Sequence, residues 1–107
     1  MKTSELIGAT LDWAVAKCEV GSEFIGEIND PHFYSTDWAL AGPIIERFEI
    51  DLRSVEEGLW EASNVFDDLA FHSFQGRTPL VAAMRCYVAS KLGDEIEIPE
   101  QLIEGEQ

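Results

Sequence analysis

The stretch Arg77-Thr78-Pro79-Leu80-Val81-Ala82-Ala83-Met84-Arg85-Cys86-Tyr87-Val88-Ala89-Ser90-Lys91-Leu92-Gly93 carries a full set of helix signals. Thr78 is a good N-cap, because its hydroxyl accepts a hydrogen bond from a free backbone N–H of the first turn. Pro79 then stands at the first helical position, where a missing N–H costs nothing. Leu80, Met84, Tyr87, Val88 and Leu92 recur at helical spacing with Ala83 between them, which makes one face apolar. Gly93 suits the left-handed position past the end, and Lys91 in the last turn suits the negative helix terminus. Arg85 lies at the edge of the stripe. Its ordinary reading is a snorkelling side chain or a surface ion pair, with a ligand contact as the alternative.

Elements to pack against this helix are legible on its N-terminal side. Phe48-Glu49-Ile50-Asp51-Leu52-Arg53 alternates apolar and charged residues without exception, the mark of a half-buried strand. Residues Ser54 to Gly58 then form a hairpin connection, and Leu59 to Asn64 the return strand, with Trp60 and Ala62 on one face. Asp67-Asp68 breaks the run, Leu69 to Phe74 reads as a third strand, and Gln75-Gly76 leads into the helix. Further back, Thr3-Ser4-Glu5 reads as the start of a first helix, with Ile7, Leu11, Ala14, Val15 and Cys18 as its stripe, Leu6 and Trp13 at its edges, and Gly21 as terminator. Ser35-Thr36-Asp37-Trp38 opens a second helix that ends near Glu46-Arg47, and Gly42-Pro43 demands a kink or a break within it. Between these helices, Ser22 to Tyr34 reads as a loop with one short strand around Gly26 and a turn at Asn29-Asp30-Pro31.

After Gly93, Ile96 and Ile98 alternate with acids, as in a short edge strand or extended arm that Pro99 ends. The expectation is a single α+β domain over residues 1–99 with a flexible acidic tail over 100–107. Strands joined by short turns pair antiparallel, giving a small sheet of three to four strands flanked by about three helices, a layered α/β sandwich. Helices on both sheet faces is the economical arrangement, and a single-face arrangement is the alternative.

Charge is the unusual feature of the composition. Against 21 acidic side chains stand 7 basic ones, a net charge of −14. Such a chain repels nucleic acids and anionic membranes at long range and is attracted to basic surfaces of protein partners. The ordinary reading is that the acidity keeps a small protein soluble. No stretch approaches transmembrane length, and no secretory signal is apparent, so a cytoplasmic location with Cys18 and Cys86 reduced is expected.

Several segments taken together resemble a known family: Leu11-Asp12-Trp13-Ala14-Val15-Ala16-Lys17, Ser35-Thr36-Asp37-Trp38-Ala39, Gly42-Pro43-Ile44-Ile45-Glu46, Trp60, Thr78-Pro79-Leu80, and Val88-Ala89-Ser90-Lys91-Leu92-Gly93-Asp94-Glu95. The chain resembles the NinX family of small proteins from lambdoid phages and prophages. The resemblance covers nearly the whole chain, implies a phage or prophage origin, which makes the expected cytoplasm that of a bacterial host, and supports the layered fold. It implies no reaction.

The chemistry-bearing residues form no recognisable catalytic or metal motif. His32 and His72, the only histidines, lack partners at metal-ligand spacing, and neither cysteine sits in a nucleophile motif. No metal and no cofactor is expected. The adjacent carboxylates at Glu56-Glu57, Asp67-Asp68 and Asp94-Glu95 read as solvated surface. Two helix starts offer free N–H groups: Arg77-Thr78-Pro79, where plain capping is the ordinary reading and an anion held by Arg77 with help from Arg47 or Arg85 the alternative, and Ser35-Thr36-Asp37, where the acid argues for plain capping. Phe33, Tyr34 and Trp38 are candidate contacts, because rings in a loop beside a helix start can stack on a base or fill a partner's pocket.

The leading expectation is a non-enzymatic acidic protein that binds a basic surface of a host or phage protein, without direct nucleic-acid or membrane binding, and with a homodimer as one option. The alternative is a small-ligand module for a phosphorylated metabolite or nucleotide, contacted through Arg77, Thr78 and Arg85.

Overall fold

The computed structural model describes residues 1–21, 33–64, 73–100 and 102. Its helices are α1 (Gly8–Val20), α2 (Trp38–Arg47) and α3 (Pro79–Leu92), and its strands are β1 (Ile50–Glu56), β2 (Leu59–Asn64) and β3 (Ser73–Gly76). The strands form one antiparallel sheet in the order β1-β2-β3. This is a small α+β fold.

The helix α3 is the centre of the molecule. Thr78 caps it, its Oγ1 accepting from Val81 N at 3.2 Å, and Pro79 occupies the first helical position. The expected stripe residues Leu80, Ala83, Met84, Tyr87 and Val88 are buried, but so are Val81, Ala82 and Cys86. The helix is therefore apolar on most of its circumference, as a helix covered on two sides must be. It packs on all three strands with one side and on α1 and α2 with another. Each large side chain buried there contributes about 1.5–3 kcal/mol.

The described helices lie on one face of the sheet. Ile50, Leu52, Trp60, Ala62, Phe74 and Gly76 turn inward, while Asp51, Arg53, Glu61, Ser63, Ser73 and Gln75 alternate outward. Arg53 bonds to Glu61, its partner directly across the sheet, on that outer face. Among the described residues the arrangement is thus the single-face one, in keeping with a polar outer face that offers little for a second helical layer to bury.

Several boundaries differ from the sequence expectation for local reasons. Thr3–Glu5 is a 3-10 turn, not the first turn of α1. Thr3 is fully buried, and its Oγ1 donates to Gly93 O at 2.6 Å, so it ties the N-terminal segment to the end of α3 instead of capping a helix. The chain stays extended through Leu6 and Ile7, and α1 begins at Gly8. Ile7, expected in the apolar stripe, is 49% exposed, while Leu6 is buried. The arm after α3 pairs with the N-terminus: Lys2 bridges to Glu95, Thr3 N donates to Asp94 O at 2.8 Å, and Ile96 N donates to Met1 O at 3.0 Å.

Helix α2 runs unbroken through Gly42 and Pro43, and Asp37 caps it, its Oδ1 accepting from Ala39 N at 2.9 Å. Phe48 belongs to the turn after α2, its N–H still donating to Ile44 O at 3.0 Å, so β1 starts two residues later than the alternation suggests. Glu49 makes that turn at φ 50°, in the left-handed region. The hairpin loop is the pair Glu57-Gly58, shorter than the five-residue connection expected, because β1 runs on to Glu56 with a bulge at Val55. Strand β3 includes Gln75-Gly76, which the sequence reading gave to a lead-in. The proposed strand around Gly26, the Asn29-Asp30-Pro31 turn, Asp67-Asp68, the first four residues of the proposed third strand and most of the tail lie outside the described residues.

One carboxylate joins the three helices. Glu19 of α1 accepts from Tyr87 OH of α3 at 2.5 Å and from Arg47 Nη2 of α2 at 2.7 Å. Buried Asp12 of α1 makes a second tie, its Oδ1 accepting from Ser35 N at 2.7 Å just ahead of α2.

Candidate functional site: a cation-lined cleft

A cleft of about 830 Å³ opens beside the N-terminal half of α3. Its floor and one wall come from Ser73, Phe74, Gln75 and Gly76 of β3, Leu59 of β2, and Arg77, Val81 and Arg85. The facing wall is the N-terminal segment with Lys2, Ser4 and Ile7, together with Asp94 and Glu95 of the arm that pairs with it. Val81 and Arg85 are four apart on α3 and so share one of its faces, and Arg77 stands just ahead of the Thr78 cap.

Arg85 sits at the junction of the two walls. Its Nε donates to Leu6 O at 2.7 Å and its Nη1 to Gln75 O at 2.6 Å. Both acceptors are neutral carbonyls. No carboxylate pairs with this guanidinium among the described residues. Burial pushes its pKa below the usual arginine value, yet an arginine stays charged across the working pH range. A half-buried cation without a counter-ion is a costly arrangement.

Charge is segregated around this cleft. Arg47 pairs with Glu19 and Arg53 with Glu61, while Lys17 lies 5.5 Å from the Trp13 ring centre and Lys91 4.7 Å from that of Phe48. The remaining cations of the 7 are Lys2, Arg77 and Arg85, and all three line the cleft. Asp94 and Glu95 line it too, but neither forms an ion pair with them.

The six residues singled out from the sequence separate into groups. Arg77 and Arg85 come together in the cleft. Thr78 does not line it; its hydroxyl is engaged as the cap of α3. Phe33, Tyr34 and Trp38 lie at the approach to α2 and do not line it either. Phe33 and Trp38 are 56% and 54% exposed, whereas Tyr34 packs against the core with its phenol pushed up by burial and by the nearby Glu19 and Asp12 charges. The aromatic ring of the cleft is Phe74. Lys2, Ser4, Ile7, Asp94 and Glu95 were not among the site candidates, with Ile7 read as helix stripe and Asp94-Glu95 as solvated surface, because it is the pairing of residues 1–3 with 93–96 that sets them beside α3.

Among the described residues no group of three or more His, Cys, Asp or Glu side chains could hold a metal ion, and no helix is long and apolar enough to cross a membrane. Burial pushes the Cys18 thiol up to about 12, which suits a structural thiol and not a nucleophile.

Fold and cleft together define a small α+β protein with a one-sided sheet. Residues 2–91 match the family model described as Bacteriophage P22, NinX, and the chain belongs to this NinX family of phage proteins. No curated protein matches the chain.

Proposed function

We propose that this phage protein is a non-enzymatic accessory protein that binds a basic surface of a host or phage protein in the host cytoplasm. The observation that supports this is the segregation of charge. Arg47 and Arg53 are paired with carboxylates, Lys17 and Lys91 lie over aromatic rings, and the other three cations gather in one cleft, so acidic side chains predominate over the rest of the described exterior. From the end of α2 along β1, Glu46, Glu49, Asp51, Glu56 and Glu57 are all exposed. Such a surface accelerates encounter with a basic partner and discriminates against nucleic acid.

Capture by the immobilised protein from infected-cell extract tests the reading. A specific partner is retained at low salt and released near 1 M, where the screening length falls to about 3 Å. Replacing Glu49, Asp51, Glu56 and Glu57 by their amides weakens capture, and the same change at Glu97 does not. Capture indifferent both to salt and to the β1-edge amides would sink the proposal.

A further inference from the structure

We infer that the cleft between β3 and the N-terminal segment binds a small phosphorylated ligand of the nucleoside monophosphate class, its phosphate held among Lys2, Arg77 and Arg85. The inference is independent of the acidic exterior: it concerns a cleft where three cations gather among the described residues.

The charge balance of the cleft carries the first step. Lys2 and Arg77 have no ion-pair partner among the described residues, and Arg85 is half-buried with only carbonyls for company. Two of its N–H groups are engaged, and the other three have no acceptor among the described residues. In a chain of net charge −14, no carboxylate among the described residues pairs with these cations, although Asp94 and Glu95 line the same cleft. An anion that enters the cleft supplies the missing counter-charge. A phosphate monoester, with a charge of about −1.5 to −2 and three acceptor oxygens, matches three cations better than a single carboxylate does.

Size and the remaining lining carry the second step. A volume of about 830 Å³ exceeds what a bare anion needs and falls in the range of sites for small organic ligands. Beyond the cations the walls offer Phe74 and the exposed Ile7 for an apolar or aromatic body, and the carboxylates of Asp94 and Glu95 as acceptors for hydroxyl or amino groups. A base attached to a sugar presents both.

Two other occupants fit less well. A peptide strand added to the outer edge of β3 would need the Gln75 carbonyl, which Arg85 Nη1 already occupies at 2.6 Å. A nucleic-acid strand would bring many phosphates against the acidic exterior. The α3 N-terminus is not the anion site itself, since Thr78 Oγ1 accepts from Val81 N and Pro79 has no N–H.

Titration calorimetry and thermal shift with the four nucleoside 5′-monophosphates, the matching nucleosides and inorganic phosphate test the inference. At least one monophosphate is expected to bind with 1:1 stoichiometry and raise the melting temperature. Its nucleoside and inorganic phosphate should each bind at least about tenfold more weakly, the equivalent of one charge-assisted contact. Lys2→Gln and Arg77→Gln, both exposed and with no side-chain ion pair among the described residues, should each weaken binding by about tenfold with the unliganded melting temperature unchanged. Lys17→Gln, outside the cleft, should leave affinity unchanged. Amide shifts on ligand addition should cluster at residues 2–7 and 73–77. A flat panel overturns the inference, as does binding retained in the Lys2→Gln/Arg77→Gln double variant, equal binding of nucleoside and nucleotide, or tighter binding of an oligonucleotide or an acidic peptide. The β1-edge amide variants should bind the ligand normally, so loss of partner capture and loss of ligand binding are separable results.

Discussion

At the scale of single residues, Glu49 and Cys18 show how local surroundings set behaviour. Glu49 holds φ 50° to turn the chain from α2 into β1, a conformation that costs a side-chain-bearing residue about 1–2 kcal/mol. Glu49→Gly removes that strain and returns part of the gain as unfolded-state entropy, so a net stabilisation of about 0.5–1 kcal/mol is expected in urea denaturation. Cys18 is shifted chiefly by desolvation, from an ordinary 9.0 up to about 12. The unfolded thiol ionises first, so the stability this group supplies is complete below pH 9 and is lost as pH rises toward 12. Melting temperatures should therefore fall above pH 9, and Cys18→Ala should flatten the early part of that fall. Glu49 was legible only as the polar member of an alternating run; nothing in the run reveals that the helix before it keeps its hydrogen-bond ladder as far as Phe48. Arg85 was legible as an edge residue of its helix, but its acceptors, Leu6 O and Gln75 O, belong to segments 79 and 10 residues away.

At the scale of elements, the contact of β3 with α3 depends on Gly76. A Cβ there would lie 2.7 Å from Ala82 N and 2.8 Å from Val81 Cγ1, both on the helix that the strand leads into. Gly76→Ala should destabilise by about 1–3 kcal/mol, since the nearer atom is backbone and cannot swing away. The α1–α2 junction depends on Asp12, and Asp12→Ala leaves the Ser35 N–H buried without that acceptor. A loss of about 1–3 kcal/mol is expected, with faster amide exchange at Ser35. Helix α3, its cap, its terminator and the β1–β2 hairpin could all be read from sequence, because each rests on neighbouring residues. The N-terminal start could not. Thr3-Ser4-Glu5 has the chemistry of a helix cap, and only the distant Gly93 carbonyl gives the Thr3 hydroxyl another use. The cleft was half legible for the same reason: its α3 side follows from helical spacing, and its other wall comes from the pairing of residues 90 or more positions apart.

At the scale of the whole molecule, a net charge of −14 on 107 residues makes self-repulsion a standing cost of compactness. Neutral salt should raise the melting temperature steadily until the screening length falls to about 3 Å near 1 M. Ion-pair networks would predict the reverse, but only two pairs occur among the described residues, and each has a solvent-exposed arginine. The one-sided sheet was also open to a reading of the sequence, since strict alternation in β1 provides apolar residues for one face only.

The pairing of Lys2 with Glu95, and of Thr3 with Asp94 and Gly93, sets a constraint on the order of synthesis. Lys2 and Thr3 find their partners among residues made 90 or more positions later. Until residue 95 has emerged, the N-terminal segment has no strand to lie against, and the cleft that it walls is absent however well the hairpin and α1 have formed. A nascent chain arrested before that point should retain Tyr87 and the helices it can already pack, yet expose Leu6 to chaperones and proteases. Synthesis through Glu95 is therefore the step that completes the wall of the cleft.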